Sequence, residues 1–237
     1  MLFIFYKEHF ALQRYQCNFV INKLSAWRAD KTSLVMVDTV YLLDDDTSII
    51  AAVNNLLSSA GFSVAAFTSP QAFLAQPDFS APSCLILDLN MPGMNGLEVT
   101  QRLRERGFTI PAIFLTGFGT IPISVKAMKA GAWEFLTKPV APDTLLQAVT
   151  DALGASQRQL ARASEKRDAT QRYQSLTPRE SEVMLLAARG LLNKQIAAEL
   201  GVSEITAKVH KRRVMEKMGA RSVPELVRVA ERLALLK

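Results

Sequence analysis

Short apolar runs alternate with longer amphipathic stretches through the middle of the chain. Each run spans four residues rich in aliphatic and aromatic side chains, and the stretches between them carry apolar residues at helical spacing. Near-continuous apolar strands that alternate with helices are typical of a parallel sheet covered on both faces. The pattern predicts strands at 40–43, 64–67, 84–87, 112–115 and 133–136, and helices near 47–60, 70–76, 95–106, 121–130 and 142–153.

These five repeats predict a doubly wound α/β domain with a five-stranded parallel sheet over residues 38–153. Residues 154–174 are rich in Ala, Gln and Arg and lack proline, which indicates a helical connector that continues the last helix. Residues 175–237 contain only helical patterns. We expect residues 1–37, which fit neither pattern, to be an N-terminal extension that is dispensable or not native.

The last segment predicts a separate all-α domain of four helices. A short Gly201-Val202 turn separates its second helix from its third, at 204–218, which is a helix-turn-helix signature. Thr177 opens a capping box with Pro178 at the first helical position. The predicted capping residues of the four helices are Thr177, Asn193, Ser203 and Ser222.

Charge separates the two predicted domains. The chain has a net charge of +6, yet residues 38–153 are acidic and residues 175–237 are basic. A basic domain joined to an acidic one suggests different partners, with a polyanion for the basic half. Cys17 and Cys84 are too few for a disulfide framework and fit a reducing, cytoplasmic location. No apolar run reaches the roughly 18–20 residues that span a bilayer, so no membrane association is predicted.

Polar side chains follow four of the five predicted strands. Asp44, Asp45 and Asp46 follow the first, and Asp88, Thr116 and Lys138 follow the third, fourth and fifth. Any one of these could be an ordinary cap or surface residue. All of them follow the carboxyl ends of strands, and doubly wound folds bind ligands at that edge of the sheet. Together they therefore predict a ligand-binding site.

The residue types at that edge suit phosphoryl chemistry. Clustered carboxylates can hold Mg²⁺, and a lysine and a hydroxyl can bind the oxygens of a phosphoryl group. Asp88 stands alone on the central strand and could be the nucleophile of an aspartyl phosphate.

Four motifs carry a resemblance to the receiver domain of two-component response regulators of the FixJ/NarL type. They are LLDDD (42–46), LILDLNMPGMNG (85–96), IFLTGFG (113–119) and AMKAGAWEFLTKP (127–139). The resemblance implies that Asp88 is the phosphoacceptor. It implies a Mg²⁺ site formed by Asp44, Asp45, Asp88 and the backbone carbonyl of Asn90, with Asp45 the more direct ligand of the acidic pair.

The same resemblance assigns the switch residues. Thr116 and Lys138 match the switch hydroxyl and the phosphate-binding lysine, and Phe135 matches the aromatic switch position. The Lys138-Pro139 bond is expected to be cis. We expect Asp46 to cap the following helix, and we hypothesise that Phe118 shields the phosphorylated residue from water.

The third helix of the basic domain has two distinct faces. At about 100° per residue, Ala207, Val214 and Met218 share one face and are predicted to be core. The opposite face mixes basic residues with two apolar ones, Ile205 and Val209. Basic residues alone would fit a solvated face, but the apolar pair between them favours contact with DNA.

Residues 175–237 also resemble the LuxR-type helix-turn-helix domain. The resemblance implies that 204–218 is the recognition helix, with His210 as a packed side chain. It implies base contacts from Lys208, Val209 and Arg212, and phosphate contacts from Lys194, Lys211 and Arg213.

The combined interpretation is a phosphorylation-controlled transcriptional regulator, expected to be an activator and not an enzyme with a free substrate. Its expected partners are a sensor histidine kinase, double-stranded DNA, RNA polymerase and a second copy of the chain when phosphorylated. One alternative is a receiver-containing transcription factor that ignores phosphorylation. The other is an aspartyl-nucleophile phosphatase, which needs an Asp two residues after the nucleophile where this chain has Asn90.

Overall fold

The five predicted strands form one parallel sheet. The computed structural model describes residues 38–76, 79, 81–117, 128–129 and 131–236. Its strands are β1 (Thr39–Leu43), β2 (Ser63–Phe67), β3 (Ser83–Leu87), β4 (Ala112–Thr116) and β5 (Glu134–Thr137). They are arranged in the order β2-β1-β3-β4-β5, and every neighbouring pair is parallel. The predicted doubly wound α/β class is confirmed.

Helices follow the strands as the alternation predicts. They are α1 (Thr47–Ser59), α2 (Pro70–Leu74), α3 (Gly96–Glu105) and α4 (Pro142–Gln174). Helix α4 runs without a break through the predicted helix at 142–153 and the predicted connector at 154–174. The helix predicted near 121–130 lies almost wholly outside the described residues.

Two hydrophobic cores cover the two faces of the sheet, because successive side chains of a strand point to opposite faces. One core joins the strands to α2 and α3 and includes Leu43, Phe73, Leu87, Val99 and Phe114. The other joins them to α1 and α4 and includes Leu42, Leu57, Ile86, Leu115 and Leu145. All residues of the central strands β3 and β4 are buried, which explains their continuous apolar sequence.

The strand register determines which residues meet at the carboxyl edge of the sheet. Leu43 at the end of β1 pairs with Leu87 at the end of β3. The residues that follow them, Asp44 and Asp88, therefore leave neighbouring strands side by side. This is also the point where the chain order reverses, since β2 lies on one side of β1 and β3 on the other.

A second compact unit begins after Gln157, within α4. Its further helices are α5 (Pro178–Ala188), α6 (Asn193–Leu200), α7 (Glu204–Met218) and α8 (Val223–Arg232). They enclose a separate core that includes Val183, Met184, Ile196, Val214 and Leu226. No helix in the described part of the chain has the length and apolar character needed to cross a membrane.

Three of the four predicted caps of this unit are present. The side chains of Thr177, Ser203 and Ser222 each accept a hydrogen bond from the amide three residues on. The predicted cap at Asn193 is wrong, because Leu192 holds the extended N-cap conformation and Asn193 is already helical. Gln195 supports this start instead, since its side chain accepts the Leu192 amide hydrogen bond at 2.8 Å.

An ion pair between the buried Glu180 and the partly exposed Lys217 joins α5 and α7. Glu180, only 3% exposed, accepts a hydrogen bond from Lys217 at 2.6 Å and one from the Thr177 amide at 2.9 Å. Lys217 also donates to the Ser175 carbonyl at 3.2 Å. The pKa of Glu180 is lowered to about 2, mainly by the hydrogen bond from the Lys217 ammonium.

We predict that the second unit loses stability in acid through Glu180. A carboxyl whose pKa is lower in the folded state stabilises the fold above its unfolded pKa of 4.5, and that contribution is lost as the pH falls towards 2. Because Lys217 is 37% exposed, we expect a modest contribution, about 1–3 kcal/mol. Hydrogen exchange of α5 and α7 in the full-length chain, corrected for intrinsic rates, would measure it. In Glu180→Gln this acid-dependent loss should be absent, and an unchanged pH profile would contradict the prediction.

Candidate functional site

Three carboxylates meet where β1 and β3 end. Asp44, Asp45 and Asp88 each offer an oxygen, and these oxygens all lie within 4.8 Å of one another. Asp44 is buried, Asp88 is half-buried and Asp45 is exposed. Like charges at this separation repel, so the cluster needs a nearby positive charge.

Lys138 supplies a positive charge beside the cluster. Its ammonium lies 2.5 Å from Asp44 Oδ2 and 3.9 Å from Asp88 Oδ1, with 18% of its side chain exposed. The backbone around it is also fixed, because its amide donates to the Thr116 carbonyl at 2.8 Å. The Lys138-Pro139 bond is cis, as expected from the resemblance.

The three consecutive aspartates have different surroundings. Asp44 accepts a hydrogen bond from the Asp46 amide at 2.9 Å through Oδ1, so both of its oxygens are engaged. Asp46 caps α1 by accepting the Ser48 amide hydrogen bond at 2.8 Å, which confirms its predicted role as a cap. The same hydrogen bond is the main cause that lowers the pKa of Asp46. Asp45 is exposed at the mouth of the cluster.

Asp88 is held in a partly desolvated position. Its side chain accepts the Leu89 amide hydrogen bond at 2.8 Å. Burial raises the pKa of Asp88, while Lys138, the Leu89 amide and the Thr116 hydroxyl oppose that rise. A positive charge brought to the cluster would therefore favour the ionised, nucleophilic form.

The residues expected to act as a switch lie on β4 and β5. Thr116 is fully buried at the end of β4, where its hydroxyl contributes to lowering the pKa of Asp88. Phe135 is partly buried on β5, and its ring is stacked with that of Phe114, with 6.5 Å between centroids. Phe118 lies outside the described residues.

The oxygen-only cluster is chemically suited to Mg²⁺. A hard divalent cation takes carboxylate oxygens and keeps several waters, and the exposed Asp45 leaves a side open for them. Asn90 is exposed two residues after Asp88, and its carbonyl as a metal ligand remains a prediction.

Gly96 ends the motif LILDLNMPGMNG (85–96), and its role in this site was not predicted from the sequence. A Cβ at this position would lie 2.5 Å from the Asp88 backbone carbonyl and 3.0 Å from the Phe114 ring. Gly96 therefore lets the start of α3 approach the loop that carries Asp88. The Asn95-Gly96 pair at a helix start was the available signal, since Asn95 caps α3.

The second unit presents a basic and apolar face on α7. Ala207, Val214 and Met218 are buried, as predicted for the core face. On the other side Lys208 is exposed, and Arg212 is 81% exposed with its guanidinium 3.0 Å from Glu216.

The remaining residues expected to contact DNA differ in exposure. Val209 is 45% exposed, Lys194 and Arg213 are exposed, and Lys211 is half-buried. His210 is also half-buried, and its Nδ1 has no hydrogen-bond partner among the described residues.

Known protein families match both units. The family described as response regulator receiver domain matches residues 40–150. The family described as bacterial regulatory proteins, luxR family, matches residues 174–230. The first match covers the carboxylate cluster and Lys138, and the second covers the face of α7.

Individual relatives match along most of the chain. The response regulator protein TodT of Pseudomonas putida is 46% identical over 194 residues, which cover 82% of this chain and 86% of that protein. Nodulation protein W of Bradyrhizobium diazoefficiens is 42% identical, covering 83% of this chain and 86% of that protein. The structure of the response regulator StyR is similar with a TM-score of 0.73 and 43% identity, covering 82% of this chain and 98% of that one.

These matches agree with the geometry of both units. A carboxylate cluster with a lysine lies at the switch point of the sheet, and a helix-turn-helix lies in the second unit. The chain belongs to the response regulators of two-component systems that combine a receiver domain with a LuxR-type DNA-binding domain.

Proposed function

We propose that Asp88 accepts a phosphoryl group from a sensor histidine kinase and that this modification controls DNA binding by the second unit. The observation that carries the proposal is the position of the Asp88 carboxylate. It lies within 4.8 Å of two further carboxylates and 3.9 Å from the Lys138 ammonium. A nucleophile, a candidate cation site and a phosphate-binding lysine thus converge at one edge of the sheet.

The transfer forms one bond and breaks another. An Asp88 carboxylate oxygen attacks phosphorus, and the bond from phosphorus to the kinase histidine nitrogen breaks. The electron pair returns to that nitrogen. Lys138 and the Thr116 hydroxyl then bind the oxygens of the phosphoryl group, whose charge a preorganised cation stabilises. The chain acts as the phosphoacceptor and not as an enzyme with a free substrate.

Mg²⁺ is the cofactor that fits the cluster. Asp45, Asp88 and the Asn90 carbonyl would hold it directly, with Asp44 completing the acidic pair. When bound, it would offset the negative charge of the carboxylates and of the phosphoryl oxygens. The lysine contact with Asp44 keeps that carboxylate oriented before any cation arrives.

We predict that the neighbours Asp45 and Asp46 differ in their effect on Mg²⁺ binding. Asp45→Asn removes a charged ligand, so the affinity measured by calorimetry should fall at least about tenfold. Asp46→Asn is the matched control, because asparagine caps a helix as well as aspartate does and the cluster itself is retained. Equal losses in the two variants would contradict the assignment of direct ligation to Asp45.

Phosphorylation would act on the second unit through the switch residues. Thr116 moves towards the phosphoryl group, and Phe135 turns inward into the space that this movement vacates. The receiver then dimerises through residues 121–130 and β5. Two recognition helices are thereby made available for a two-fold DNA site.

On that DNA, α7 lies in the major groove. Lys208, Val209 and Arg212 contact bases, while Lys194, Lys211 and Arg213 contact phosphates. To reach the DNA, Arg212 leaves its ion pair with Glu216. Because both side chains are exposed, breaking this pair costs little free energy. Recruitment of RNA polymerase in the cytoplasm would make the chain an activator.

We predict that a small-molecule phosphodonor with Mg²⁺ raises the DNA affinity of the wild-type chain at least about tenfold, a free energy of about 1.4 kcal/mol. Asp88→Ala should show no response, because it lacks the nucleophile. Asp151→Ala, which removes an exposed carboxylate on α4, is the control and should respond like wild type. Titration of the full-length chain with genomic DNA sites enriched by binding would measure the affinities.

Two outcomes of that titration would contradict the proposal in different ways. Equal affinity of wild type and Asp88→Ala with and without phosphodonor would indicate a transcription factor that ignores phosphorylation. Release of inorganic phosphate from the donor over many turnovers, without any change in DNA affinity, would indicate a phosphatase.

A further inference from the structure

Helix α7 carries an isoleucine whose side chain is largely exposed to solvent. Ile205, its second residue, is 77% exposed, the largest value among the exposed large apolar side chains of the described residues. Val209 follows one turn later and is 45% exposed. Four residues turn a helix through about 400°, so the two side chains share one face.

Folding stability does not explain an isoleucine at this position. A β-branched residue has a lower helix propensity than lysine, arginine or alanine, and an apolar side chain stabilises a fold only when it is buried. Isolated apolar residues are common on protein surfaces. Ile205 and Val209 are different, because they are adjacent on one face and lie among the basic residues Lys208 and Arg212.

The surrounding charge indicates what covers this face. Lys208, Arg212 and Arg213 are exposed here, and Glu216, which pairs with Arg212, offsets their charge only in part. The face is therefore positive around an apolar centre, which favours a polyanion that carries apolar groups. The major groove of DNA has this character, because each thymine presents a C5-methyl group between rows of phosphates. In a helix-turn-helix protein the first residues of the recognition helix contact base edges, and Ile205 is among them.

We propose that Ile205 is a specificity-determining residue that contacts the C5-methyl group of one thymine in each half of the DNA site. The site would then require a T·A pair at that position. The inference rests on the proposed DNA binding and adds the base that a particular side chain selects. Lys208 and Arg212 favour guanine through hydrogen bonds, so Ile205 provides a different kind of recognition.

The test removes the methyl group from the DNA and the side chain from the protein. The phosphorylated full-length chain first selects duplexes from a random pool. Each thymine of the selected site is then replaced singly by deoxyuridine, which lacks only the C5-methyl group. We expect one thymine in each half-site whose replacement weakens binding about fourfold, the effect of burying one methylene-sized group.

The variant Ile205→Ala should bind the thymine and deoxyuridine sites equally at that position, while its response at other thymines is retained. Alanine has a high helix propensity, so α7 should stay folded, which circular dichroism checks. Leu192→Ala is the matched control, because Leu192 is 70% exposed in the same unit but lies outside α7. It should keep the full thymine response.

The outcomes separate this inference from the proposed function. Selection of a site without any thymine dependence, or an unchanged dependence in Ile205→Ala, would overturn the inference and leave DNA binding intact. Loss of the response in both Ile205→Ala and Leu192→Ala would also overturn it. If no duplex is selected, the proposed function fails and the inference fails with it.

Discussion

The parallel register between β1 and β3 is the constraint on which the site depends. Because Leu43 pairs with Leu87, the next residue of each strand is an aspartate at the same edge of the sheet. Their repulsion is offset by Lys138, which follows β5 and reaches both carboxylates. A one-residue slip would turn these side chains to the wrong face and bury charge in a core. The fold therefore holds a repulsive cluster ready for a cation.

In the second unit, one side of α7 is packed in the core and the other side is exposed. Ala207, Val214 and Met218 anchor α7 in its core, and Lys217 ties the end of α7 to the buried Glu180. The position of α7 therefore does not depend on packing of its opposite face. A helix that is rigid on one side can present side chains to DNA with little entropic cost on binding.

Local patterns in the sequence predicted the elements and most of the site. Strand alternation placed Asp44, Asp88, Thr116 and Lys138 at one edge, and the capping chemistry of Asp46 separated it from its neighbours. The individual contacts among these residues could not be predicted. Lys138 lies 94 residues from Asp44, and its shortest contact is with that residue instead of Asp88. Asn193 has a side chain that favours an N-cap, but Leu192 holds the extended N-cap conformation and the helix already includes Asn193.

The most direct test of the central claim is to locate the phosphoryl group on the chain. The full-length protein would be treated with a phosphodonor and Mg²⁺, then reduced with borohydride, which converts an aspartyl phosphate to homoserine. Peptide mass spectrometry would identify the converted residue. We predict homoserine at Asp88 alone, and its absence when Mg²⁺ is removed. Conversion at Asp44 or Asp45, or no conversion at any aspartate, would contradict the account.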